Sequence, residues 1–125
     1  MPTEQAVTHT WHVPGTLGAD LAIRLALPFD AQLVHVSAVG SNTYAAGLSI
    51  GTGTDAIAHM AKKSIGVSGT PVEFDFDDFA TYANKAYPRL SKGAVLALAL
   101  DYDYNGGGGA NASANVTIVA ELLVG

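Results

Sequence analysis

The sequence predicts an all-β fold: an antiparallel, jelly-roll-like β-sandwich of about eight strands with at most one short helix. Three observations carry this. Apolar residues recur at every second position through most of the chain, the period of a half-buried strand. Turn formers separate these stretches: Pro14-Gly15, Pro28, Gly40-Ser41-Asn42, Gly69-Thr70-Pro71, Pro88, Gly93 and Gly106–Gly109. Only one short segment has helical character. An immunoglobulin-like sandwich is the second choice.

Taken in order, Ala6–Val13 reads as a strand with His9 and Trp11 on one face. Residues 1–14 are expected to form an N-terminal arm or this first strand, and residues 15–125 the sandwich domain. In Asp20–Leu27 the residues Leu21, Ile23, Leu25 and Leu27 share a face, and Pro28 stops the strand. Gln32–Val39 places Val34, Val36 and Ala38 opposite His35 and Ser37. Tyr44–Gly51 is a further strand, and a short one is expected near Ser64–Val67. Asp55–Lys63 is the helical candidate, with Asp55 at its start and Lys62 and Lys63 suiting its C-terminal dipole. Val72, Phe74 and Phe76 alternate with Glu73, Asp75 and Asp77. Leu96, Leu98, Leu100, Tyr102 and Tyr104 oppose Ala97, Ala99, Asp101 and Asp103. Val116–Val124 closes the chain, and the Gly/Ala/Ser/Asn-rich Asn105–Asn115 is expected to join the last two strands as a hairpin tip.

Composition narrows function. The 125 residues suit one domain, with a net charge of −5 that opposes binding nucleic acid through phosphate neutralisation. No apolar run approaches the ~20 residues of a membrane helix, and MPTEQAVTHTWHVPG lacks the basic and apolar parts of a secretory signal. Without cysteine there is neither disulfide nor thiolate chemistry. Charged residues are 14% of the chain, against about 25% in ordinary domains. So thin a charge favours self-association over a lone monomer.

The stretch DYDYNGGGG, Asp101 to Gly109, opens like a calcium loop, with oxygen ligands at the first, third and fifth positions and glycine at the sixth. The twelfth position, where such a loop needs a bidentate glutamate, is Ala112. On a strand Asp101 and Asp103 stand about 7 Å apart. The wet end of a strand is therefore preferred to an ion site at Asp101–Gly106. Gly51-Thr52-Gly53-Thr54-Asp55-Ala56 matches G-x-G-x-x-A, but no βαβ unit follows it, so a plain turn is preferred to a dinucleotide cradle. His9 and His12 fall on opposite faces, and Ser68 lacks a nucleophile-elbow context. No catalytic, cofactor or metal site is expected, and the chain is not read as an enzyme. Candidate partner contacts are Glu73, Asp75 and Asp77, which share a strand face, and His9, Trp11 and His12. Trp11 is also a natural core residue.

Together GTPVEFDFDDF, YPRLSKG, AVLALALDYD, the Gly/Ala-rich tip and VTIVAELLVG resemble small β-sandwich virion proteins of tailed bacteriophages, over roughly residues 20–125. Within that group the likeness is to capsid decoration, or cement, proteins. The resemblance implies a non-enzymatic homo-oligomer, often a trimer, that binds the major capsid protein on the exterior of the phage head and reinforces the shell. Such a protein is made in the host cytoplasm and needs no signal peptide. It carries over no functional residue. The alternative is a tail-associated receptor- or carbohydrate-binding sandwich, with Tyr82, Tyr87, Tyr102 or Tyr104 as an aromatic platform.

Overall fold

The structure, a computed structural model, describes residues 5–75, 77–79, 87–102, 104 and 112–124. Among the described residues nine strands are formed: β1 (Gln5–Thr16), β2 (Leu21–Ala26), β3 (Ala31–Val39), β4 (Gly47–Gly51), β5 (Met60–Ser64), β6 (Val72–Phe74), β7 (Arg89–Leu90), β8 (Val95–Asp101) and β9 (Ala114–Val124). They build two antiparallel sheets. One has the order β1-β9-β3-β6, with β7 also paired to β3; the other has the order β2-β8-β4-β5.

This order is that of a jelly roll. The antiparallel pairs β1–β9, β2–β8, β3–β6 and β4–β5 form a ribbon. It is rolled so that β9 also reaches β3, and β8 also reaches β4. The connections β1–β2, β3–β4, β5–β6 and β8–β9 each cross from one sheet to the other. Edge strands β1 and β2 therefore lie on one side of the sandwich, and β5 and β6 on the other.

Alternation explains the core. Leu96, Leu98 and Leu100 of β8, Leu48 and Ile50 of β4, and Val116, Ile118, Ala120 and Leu122 of β9 are all buried between the sheets. Ala97 and Ala99 point the other way, opposite Gly51 and Ser49, and give the second sheet an outer face of small residues. Burying such aliphatic side chains stabilises by roughly 1.5–3 kcal/mol each, which makes the inner rows the main source of stability.

Four expectations are corrected. No helix forms over Asp55–Lys63: its start is a set of turns and its end is β5. The Thr52 hydroxyl accepts from the N–H groups of Thr54 (3.3 Å) and Asp55 (3.0 Å), and the Asp55 carboxylate accepts from Ile57 N–H (3.2 Å). These side-chain bonds close tight turns instead of capping a helix, and Met60 then pairs with Ile50. Second, β3 carries a bulge between Leu33 and His35, so Leu33 and not Val34 lies in the core. Third, β8 and β9 do not pair as a hairpin, because they belong to different sheets; the tip at 105–111 lies outside the described residues. Fourth, β6 ends at Phe74, where the chain turns.

Candidate interaction surfaces

Among the described residues no three of His, Asp and Glu come together in a way that could hold a metal ion. Asp101 is already matched: its Oδ2 accepts a hydrogen bond from Lys62 Nζ at 2.7 Å. That bond is the main reason the ammonium pKa is raised. Asp103 and residues 105–109 lie outside the described residues. The Gly51–Ala56 turn is no phosphate cradle either. Two of its amides are occupied by the Thr52 hydroxyl, and Thr52 N–H donates to Asp55 O at 2.8 Å, folding the turn back over β4.

His9 and Trp11 point inward from β1 and stack, with centroids 5.9 Å apart and planes 20° off parallel. Trp11 packs on the core while staying half-exposed, and His9 Nε2 is buried without a hydrogen-bond partner. His12 lies on the opposite, exposed face, where its Nδ1 is 2.9 Å from Thr117 Oγ1. The structure thus joins His9 to Trp11 and separates both from His12.

The acidic residues are likewise divided. Glu73 stands on the outer face of β6, with Oε1 3.1 Å from His35 Nε2. Asp75 and Asp78 shape the turn that follows: the Asp78 carboxylate accepts from Asp75 N–H (3.0 Å), and the Asp75 carboxylate from Asp77 N–H (3.2 Å). Asp78 also pairs with Lys63 at 3.2 Å. Glu73, Asp75 and Asp77 therefore do not form one strand face, because the strand they were assigned to is too short. Phe76 lies outside the described residues. Of the tyrosines, Tyr102 is half-buried against the core, Tyr87 packs on Phe79 at 6.5 Å, and Tyr104 lies over Gly47. Tyr82 is outside the described residues.

Two hollows went unforeseen. One, of about 370 Å³, lies on the outer face of the second sheet, floored by Ala22, Ser49 and Ala99 and walled by Ile57 and the Lys62–Asp101 pair. Its signal in the sequence is the small side chains Ala22, Ser49 and Ala99, which share the outer face of the second sheet. The other, of about 530 Å³, lies between the Thr52–Thr54 turn and β7 and includes His59. Burial lowers the His59 pKa from 6.5, with Asp55 acting more weakly in the opposite direction. The unfolded chain therefore takes up a proton near pH 6.5 that the folded chain resists. Stability from this group is complete above that pH and is lost as the pH falls toward the lower folded value. Thermal melts should show this decline, and His59→Gln should flatten it; an unaltered slope in that variant would assign the decline to other groups.

The strand order defines a class, the double-sheet jelly roll. No family model and no curated protein matches the sequence. Among solved structures, the chain is similar to one from the Cyanophage Pam1 capsid asymmetric unit, with a TM-score of 0.56 and 13% sequence identity. The match covers 98% of this chain and 85% of that one. At this identity it establishes a shared fold, which extends over nearly the whole chain.

Proposed function

We propose that this protein is a non-enzymatic structural component of a tailed-phage particle, a decoration protein that binds the major capsid protein on the outside of the head. The observation that carries this reading is the jelly-roll likeness to a capsid chain over 98% of the present sequence. The low charge supports it. The contacts to coat protein are assigned to the β1 face bearing His12 and the corner bearing Glu73, Asp75 and Asp77. Many copies, each held weakly, would give a firm attachment without any single dominant contact. The oligomer is a trimer in this reading.

The test uses heads of the encoding phage prepared without the protein. Purified protein should sediment with them and raise the temperature at which they release DNA. Protein that stays in the supernatant and leaves that temperature unchanged would overturn the proposal. Binding to a glycan array in place of heads would instead support a tail-borne carbohydrate module.

A further inference from the structure

The two sides of the sandwich are finished differently. On the β5–β6 side the core is sealed: Met60, Ile65, Phe74 and Phe79 are buried there. The strand edges on that side are also blunted, which is how soluble proteins avoid edge-to-edge pairing. β5 is short, paired to β4 through a bulge, and carries Lys62 and Lys63; β6 has three residues and ends in an acidic turn.

The β1–β2 side is less protected: β1 is interrupted only near its end, by Pro14 and the bulge between Val13 and Thr16, and β2 carries the single charge of Arg24. The inward row of β1 (Val7, His9, Trp11, Val13) and that of β2 (Leu21, Ile23, Leu25) contain no buried residue, and Leu21 is 37% exposed. One strand further in, the rows paired with them are sealed: Leu96, Leu98 and Leu100 are each 1% exposed. β1 is an edge strand of twelve residues with no charged side chain. The one charge on β2, Arg24, is opposite Ala97 on the outer face of the sheet. Among the described residues the sandwich is thus open along one side, and the inward rows that line it are apolar apart from His9 and contain no Asp, Glu, Lys or Arg.

We propose that the β1–β2 side is the surface through which copies of this chain associate with one another. The chemistry favours a second copy as the occupant. Each chain carries −5, so copies repel wherever charged faces approach, and these charge-free rows let them meet without opposing like charges. Val7, Trp11, Ile23 and Leu25 of one copy are covered by the open side of its neighbour, apolar surface against apolar surface, a contact that copies arranged around a common axis can repeat. The opening also exists as soon as the chain folds, before any other partner arrives. This inference rests on the fold and not on the virion reading, so either can fail alone.

Light scattering on a sizing column, with the emission of Trp11 as a second readout, tests it. Trp11 is the only tryptophan, so its emission reports this side alone. Wild-type protein at micromolar concentration should run at a multiple of the monomer mass and shift its emission to the red as dilution splits it. Leu21→Lys should reduce the mass to that of a folded monomer with red-shifted emission. Val72→Lys, at a residue 38% exposed on β6, should leave the oligomer intact. A wild-type monomer would overturn the inference, as would an oligomer lost in Val72→Lys but kept in Leu21→Lys. Should Leu21→Lys not fold, the wild-type dilution series decides alone: dissociation without any change in Trp11 emission overturns the proposal.

Discussion

Gly51→Val is expected to be the most damaging single substitution, costing roughly 3 kcal/mol or more. Gly51 ends β4 directly beneath the turn that follows it. A Cβ at this position would collide with the carbonyl oxygen of Asp55 and lie 2.5 Å from the carbonyl carbon of Ala56. Both are backbone atoms, so no rotamer change relieves the clash. The turn would have to lift from the sheet, breaking the 2.8 Å bond from Thr52 N–H to Asp55 O. Against a typical total of about 5–15 kcal/mol, such a loss moves the urea midpoint far down or abolishes folding. Gly51→Ala carries the same Cβ and should act in the same direction. A Gly51→Val protein with a wild-type midpoint would mean that the turn does not rest on β4.

Leu98→Ala should cost about 2–5 kcal/mol, the range for emptying a packed aliphatic site. Leu98 is at the middle of β8, between Ile23 of β2 and Ile50 of β4, and is 1% exposed. Sheet hydrogen bonds on both sides hold the backbone in place, so the space cannot collapse. Leu21→Ala, in the inward row of the edge strand β2, removes a similar volume from a half-open site and should cost well under half as much. Urea melts of the two variants, with unchanged m-values and at a dilution that keeps the chain monomeric, measure the contrast. Equal losses would contradict a core that is sealed in its inner rows and open at β2.

Much of this architecture was legible in the sequence, because period two is a direct consequence of strand geometry. The rows Leu96-Leu98-Leu100 and Val116-Ile118-Ala120-Leu122 could be assigned to the core from alternation alone. Three features escaped for separate physical reasons. The bulge at Leu33–His35 changes which face is inward partway along β3, and no local residue marks it. β5 resembles a helix end because Lys62 and Lys63 suit one; its identity depends on pairing with β4, a tertiary fact that overrides local preference. The last two strands look like a hairpin because they are consecutive and apolar, yet each finds better partners elsewhere: β9 lies between β1 and β3, and β8 between β2 and β4.

The candidate surfaces were less legible. Alternation placed Trp11 with His9, and their stacking follows from that. It also extended the acidic face of Glu73, Asp75 and Asp77 past the point where β6 stops. Aspartates there bond to nearby backbone amides and end the strand, a competition that charge patterning does not register. The open β1–β2 side was invisible for a related reason: which strands lie at an edge depends on how the ribbon is rolled, and that is set by the whole chain.

The rolled ribbon is the central claim, and cross-strand nuclear Overhauser contacts from β9 test it most directly. The expected result is a double set, from Val119 to Thr10 of β1 and from Val119 to Ser37 of β3, in the antiparallel registers found here. Backbone-to-backbone contacts running instead from β9 to Leu96–Leu100 of β8, as in a simple hairpin, would contradict the jelly roll, and with it the open side and the role proposed for it.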